Sequence, residues 1–175
     1  LKRMYDSTDT HIGPTARGLI ILNEKSGCKI QGLQIDGNGR TYDASYNCGI
    51  YLRSSSNNTI TDNTCNSNNY GLYLYSSSYN TVTDNTCNNN NDGIFLYSSS
   101  YNTVTGNICN NNNSTGILLY SSCNNNTVTG NTCNSNNYGI RLSSSSNNAV
   151  TGNTCNNNTN YGIELYSSSS NNAVT

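Results

Sequence analysis

From Gly49 onward, apolar and polar positions follow one another in an order that recurs every 22 to 24 residues. Gly71 to Asp92 reads GLYLYSSSYNTVTDNTCNNNND, and close copies begin at Gly49, Gly93, Gly116, Gly139 and Gly162. Leu72 and Leu74 flank Tyr73, and Val82 sits between Thr81 and Thr83. That is the two-residue period of strands, in segments too short for helices and rich in β-branched residues. A unit this small cannot bury its apolar face alone, so successive copies must stack. The pattern predicts coils of three short strands, with Leu72, Leu74, Val82 and Cys87 and their equivalents pointing inward.

Spacing sharpens this reading. Ile60 to Cys65, Val82 to Cys87, Val104 to Cys109, Val128 to Cys133 and Val150 to Cys155 are each five positions apart. Changes of length fall in the serine and asparagine turns, as a solenoid requires when core register is fixed and surface loops vary. The expected fold is all-β, a parallel β-helix of about seven coils in one continuous domain. Residues 49–175 carry the regular repeats, and 1–48 carry irregular coils with two large, cap-like loops. Gly18 to Leu22 matches the Gly-Ile-x-Leu strand with one residue extra. Ile30 to Ile35 repeats the five-residue step, which puts Ile35 in the slot later filled by cysteine.

These residues resemble the right-handed parallel β-helix repeats of the pectin-lyase-like superfamily, particularly the NosD-like and archaeal surface-protein repeats. The resemblance covers Gly18 to Thr175. It implies a right-handed solenoid, and it leaves function open among polysaccharide lyases, hydrolases, epimerases, adhesins and surface-layer components. Asn63, Asn85, Asn107, Asn131 and Asn153 resemble the asparagine ladder that such folds place at a bend, where amides hydrogen-bond along the stack.

Composition removes several other classes. The 175-residue chain is 33% hydrophobic and 10% charged, with a formal net charge of -1. Its five arginines and three lysines are mostly isolated, so the basic footprint of a nucleic-acid binder is missing. No apolar run approaches a membrane span. Eight cysteines invite a metal or disulfide reading, yet Cys65, Cys87, Cys109, Cys133 and Cys155 hold one equivalent position, and Ile35 fills the same slot. A buried structural thiol is therefore expected there, with no metal and no cofactor. Cys28, Cys48 and Cys123 lie off this ladder.

Candidate chemistry is sparse. Tyr51, Tyr73 and Phe95 align on one outward position, and Tyr75, Tyr97 and Tyr120 two residues on. Sugar faces pack on aromatic strips of this kind, so glycans are candidate partners. Asp62 and Asp84 are equivalent in adjacent coils and could form an acid pair, but later coils carry Gly106, Gly130 and Gly152 there. An Asp-or-Gly position marks a left-handed bend first of all. The two large loops gather Asp6, Asp9, His11, Arg17, Arg40, Tyr42 and Asp43, and irregular polar loops also serve as solenoid caps. Asn57, Asn112, Asn113, Asn125 and Asn157 begin Asn-x-Ser/Thr sequons. Finally, Met4 of a second molecule joined after Thr175 would fall five positions beyond Val174. That phase fits either a segment cut from a longer solenoid or head-to-tail self-association through Leu1 to Asp6 and the C-terminal half coil, the second giving a fibre-forming, adhesive or surface-layer module. The alternative is a carbohydrate-binding or polysaccharide-processing protein; both readings place the chain outside the cell or on its surface.

Overall fold

The structure, a computed structural model, describes residues 17–37 and 47–175. The first coil holds β1 (Arg17–Asn23), β2 (Lys29–Gln31) and β3 (Gln34–Asp36); the second holds β4 (Asn47–Arg53), β5 (Thr59–Thr61) and β6 (Thr64–Asn66). Two strands per coil follow: β7 (Tyr70–Tyr75) and β8 (Thr81–Thr83), β9 (Asp92–Tyr97) and β10 (Thr103–Thr105), β11 (Thr115–Tyr120) and β12 (Thr127–Thr129). β13 (Tyr138–Ser143), β14 (Ala149–Thr151), β15 (Tyr161–Tyr166) and β16 (Ala173–Val174) complete the described chain.

Successive coils pair in parallel. The longer strands form one seven-stranded sheet, β1-β4-β7-β9-β11-β13-β15, and the Thr-x-Thr strands form a second, β2-β5-β8-β10-β12-β14-β16. The third side begins as the β3–β6 pair and then narrows to single bridges running from Thr64 through Thr86, Ile108 and Thr132 to Thr154. The expected third strand is thus a true strand only in the first two coils. The whole is a parallel β-solenoid of about six turns.

Pairing aligns equivalent residues. Leu72 lies opposite Ile94, Leu74 opposite Leu96, and Val82 opposite Val104. Inside, Leu72, Leu74, Val82 and Cys87 and their counterparts form one core cluster that runs the length of the axis. Each such aliphatic side chain contributes about 1.5 to 3 kcal/mol on burial. Ile35 pairs with Cys65, so the cysteine slot starts as a hydrocarbon. Gly18 stands opposite Cys48 and Ile20 opposite Ile50. The first strand therefore carries no extra residue; its glycine sits one place early, and Leu19 occupies the position of the glycines that follow.

Corners are made by left-handed residues spaced five apart. Asn57, Asp62 and Ser67 have φ of 58°, 55° and 60°, and the set recurs at Tyr79, Asp84 and Asn89 and at Tyr101, Gly106 and Asn111. Asp62 and Asp84 are bend residues, sharing their position with Gly106, Gly130 and Gly152. Each non-glycine residue held this way costs about 1 to 2 kcal/mol. The residue after each corner turns inward and repays it with hydrogen bonds.

Candidate functional site

Three buried asparagine columns follow the corners. In the column expected from the sequence, the Asn85 backbone N–H and Nδ2 both donate to Oδ1 of Asn107, at 2.9 and 3.0 Å. The same Nδ2 also reaches the carbonyls of Ile60 and Thr83. Asn63, Asn107, Asn131 and Asn153 continue the chain of amides. Two further columns do the same work: one from Asn58 through Asn80, Asn102, Asn126 and Asn148 to Asn172, the other from Asn68 through Asn90, Asn112 and Asn136 to Asn158. A fourth column is hydroxylic, with Ser55, Ser77, Ser99 and Ser145 joined by Cys123, whose Sγ accepts from the Ser99 N–H. These columns satisfy the backbone groups that the corners leave without strand partners.

The thiol column is buried from Cys65 through Cys133, with Cys155 half-buried near the last coil, and all eight cysteines are free. The neighbouring Cys87 thiol, and then burial, push Cys65 up; burial, and then the neighbouring Cys133 and Cys87, push Cys109 up. Cys48 is buried on the outer face, and burial pushes Cys123 up to about 11. Among the described residues no group of three or more His, Cys, Asp or Glu is arranged to hold a metal ion.

The outer face of the long sheet carries the aromatic residues, in three register columns. The middle one runs Ile21, Tyr51, Tyr73, Phe95, Leu118, Arg141, Glu164. Tyr51, Tyr73 and Phe95 point away from the core, yet they are buried, stacked at 5.1 and 4.9 Å and packed with Cys48, Tyr70, Tyr97 and Leu118 into a second apolar cluster. They do not form the open strip expected of them, because neighbouring columns close over them. Tyr75 and Tyr120 are exposed, and Tyr97 lies between them half-buried. Tyr75 and Tyr97 stack at 5.3 Å, while Tyr120 leans 39° from Tyr97. Rings stacked along the axis offer edges outward and spend their faces on each other, which reduces what a sugar can use.

Polar groups on this face were not singled out by the sequence pattern. Asp92 is buried in the column beside Tyr70, and its Oδ1 accepts the Thr115 N–H at 2.9 Å. Burial pushes its carboxyl above the usual range, against hydrogen bonds from Ser114, Thr115 and Asn91. Arg141 meets Glu164 at 2.5 Å and lies 4.7 and 5.0 Å from the ring centres of Tyr138 and Tyr166. This cation–π and ionic clasp ties the sixth coil to the seventh. A separate cleft of about 400 Å³ on the third side is lined by Gln34, Ile35, Asp36, Thr64, Asn66, Ser67 and Asn89.

Of the sequon asparagines, Asn57, Asn113, Asn125 and Asn157 are exposed, whereas Asn112 is buried inside its ladder. Asp6, Asp9, His11, Arg40, Tyr42, Asp43 and the segment Leu1 to Asp6 lie outside the described residues, as does the side chain of Arg17.

Comparison with known proteins fits this geometry. The family model described as the right handed beta helix region matches residues 18–175. The chain belongs to the right-handed β-helix family. Among solved structures, this β-helix is similar to the periplasmic alginate epimerase AlgG in several variant forms. One matches at 21% identity and a TM-score of 0.63, covering 78% of this chain and 32% of that one. Another matches at 17% identity and a TM-score of 0.70, covering 89% and 47%. The β-helix thus spans about a third to a half of those proteins, and the likeness is one of fold. No curated protein matches the chain.

Proposed function

We propose that the chain is a structural module of an extracellular or cell-surface protein: a stiff solenoid that spaces, displays or joins other parts. The observation that carries this reading is the consumption of polar chemistry by the ladders. Buried carboxamides and hydroxyls bond along the axis, and the equivalent acids Asp62 and Asp84 serve as corners. The extracytoplasmic location draws support from the periplasmic epimerase, a protein of the same fold. Successive coils pair in parallel along one axis, and a second copy stacked in the same register would extend a fibre. Electron microscopy and sedimentation of the purified chain test this: rods that lengthen with concentration support the self-associating module, and a concentration-independent compact monomer overturns it.

A second reading is binding of an acidic polysaccharide. It is favoured by the exposed Tyr75 and Tyr120 beside Arg53 in one column, and by the polysaccharide named for the epimerase. Titration calorimetry with alginate oligosaccharides decides it. Binding that Tyr120→Ala weakens at least tenfold supports the reading, and no heat with the unsubstituted chain ends it.

A further inference from the structure

One corner column carries large rings where the others carry small polar residues. It runs Gly27, Asn57, Tyr79, Tyr101, Asn125, Asn147 and Asn171, with φ between 56° and 68° throughout. Backbone hydrogen bonds keep the column in register: Asn57 N–H to Ser78, Tyr79 N–H to Ser100, Tyr101 N–H to Asn124. A bulky side chain in this conformation is unusual and strained. Tyr79 and Tyr101 nonetheless occupy it, 57% and 52% exposed, their rings 5.0 Å apart and 2° from parallel. Each ring spends one face on the other. By register the remaining faces look along the axis, Tyr79 towards the coil of Asn57 and Tyr101 towards that of Asn125, with about 4.8 Å between the backbones of parallel neighbours.

Those two neighbours are chemically distinctive. Both asparagines are exposed and open Asn-x-Thr sequences, Asn57-Asn58-Thr59 and Asn125-Asn126-Thr127. Neither carboxamide is engaged in a hydrogen bond among the described residues, although most asparagines of the fold are. We propose that Asn57 and Asn125 are N-glycosylation sites, each with its first sugar packed on the free ring face of the adjacent tyrosine. In the attachment, the Asn Nδ2 displaces a lipid diphosphate from the anomeric carbon of a lipid-linked oligosaccharide. The N–C1 bond forms, the C1–O bond breaks, and the amide proton is taken up as the diphosphate leaves. A hexosamine presents an apolar face and an N-acetyl methyl, both suited to a tyrosine ring.

The other sequons differ in ways that serve as controls. Asn112 is buried, its Oδ1 accepting from Asn90 and its Nδ2 donating to Asn136. Asn113 donates to Asn91. Asn157 is exposed and unbonded, but the preceding members of its corner column are Asn111 and Ser135, so no ring lies beside it. The inference rests on the extracytoplasmic location proposed above, and secretion from a glycosylating eukaryotic host separates the two: a cytosolic native home overturns the location, while the host reports on the sites.

Peptide mapping after enzymatic deglycosylation in heavy-oxygen water reads occupancy. Asn57 and Asn125 are expected to be occupied and Asn112 bare. After trimming to one N-acetylglucosamine, the N-acetyl methyl signals at Asn57 and Asn125 are expected upfield of that at Asn157, shifted by ring currents. Tyr79→Gly and Tyr101→Gly, which introduce the residue the column already carries at Gly27, should each abolish the shift at one site alone. Bare Asn57 and Asn125 in the secreted, folded chain overturn the proposal, as do occupied sites whose methyl signals coincide with that of Asn157.

Discussion

A Cβ placed on Gly93 would stand 3.0 Å from the Cβ of Cys109 and 2.6 Å from the carbonyl oxygen of Gly116. Glycine and cysteine columns therefore interlock, and the glycine that opens each repeat is dictated by a close approach, not by a turn. Gly93→Ala forces apart two backbones that cannot relax independently and should cost about 2 to 3 kcal/mol. Gly130→Ala meets nothing within 4 Å and pays only for its φ of 64°, about 1 kcal/mol. Urea unfolding of the two variants should rank them in that order.

Removing one central amide tests the asparagine columns. Asn107 accepts from Asn85 and donates to Val82, Thr105 and Asn131, so Asn107→Ala strands several buried groups at once. The expected loss is about 3 kcal/mol or more, given 1 to 3 kcal/mol for each group left unpaired. Substituting the exposed Asn111 should change the unfolding midpoint little.

Much of this architecture was legible in the sequence and some was not. The five-residue step and the Asp-or-Gly alternation give the core and one corner directly, because both depend on residue types that have few other uses. Within a run such as Asn88 to Asn91, by contrast, identical side chains point in different directions. Only the left-handed residue before each inward asparagine decides which amide is buried, and serine, asparagine and tyrosine all fill that place. The burial of Tyr51, Tyr73 and Phe95 was hidden for a related reason: alternation identifies the face a side chain leaves by, not whether neighbouring columns close over it. Asp92 stood out in neither pattern, since its partner Thr115 lies 23 residues on.

Thiol labelling reports on the core. Cys28 and Cys155 are half-buried and should react with a bulky disulfide reagent in the native protein. Cys48, Cys65, Cys87, Cys109, Cys123 and Cys133 are buried and should react only on unfolding, since access and not thiolate content limits them. Cys87→Val should be nearly neutral, whereas Cys87→Ser places a hydroxyl in the apolar stack at about 1 to 3 kcal/mol. Native-state kinetics and denaturation midpoints check both statements.

Asp92 imposes a pH dependence of definite sign. Its carboxyl pKa is raised on folding, so between the unfolded and folded values the native state binds more protons. Its contribution to stability is greatest below the ordinary carboxylate range and falls as pH rises through the raised folded value. Asp92→Asn keeps an acceptor for Thr115 and removes the titration. Urea midpoints measured from pH 3 to 7 should decline more steeply for the unsubstituted chain than for the variant.

In the inward asparagine ladders each backbone N–H reaches forward to the Oδ1 of the next coil, while the Nδ2 also reaches back to a carbonyl of the coil before. An outer series through Asn66, Asn88, Asn110, Asn134 and Asn156 runs in reverse, each N–H reaching back one coil. A coil consequently presents a different set of bonds on each of its two sides, and an inverted coil would match neither set. The axis behaves as a threaded joint that accepts another turn in a single orientation, so its length can change by whole coils while every existing joint keeps its fit.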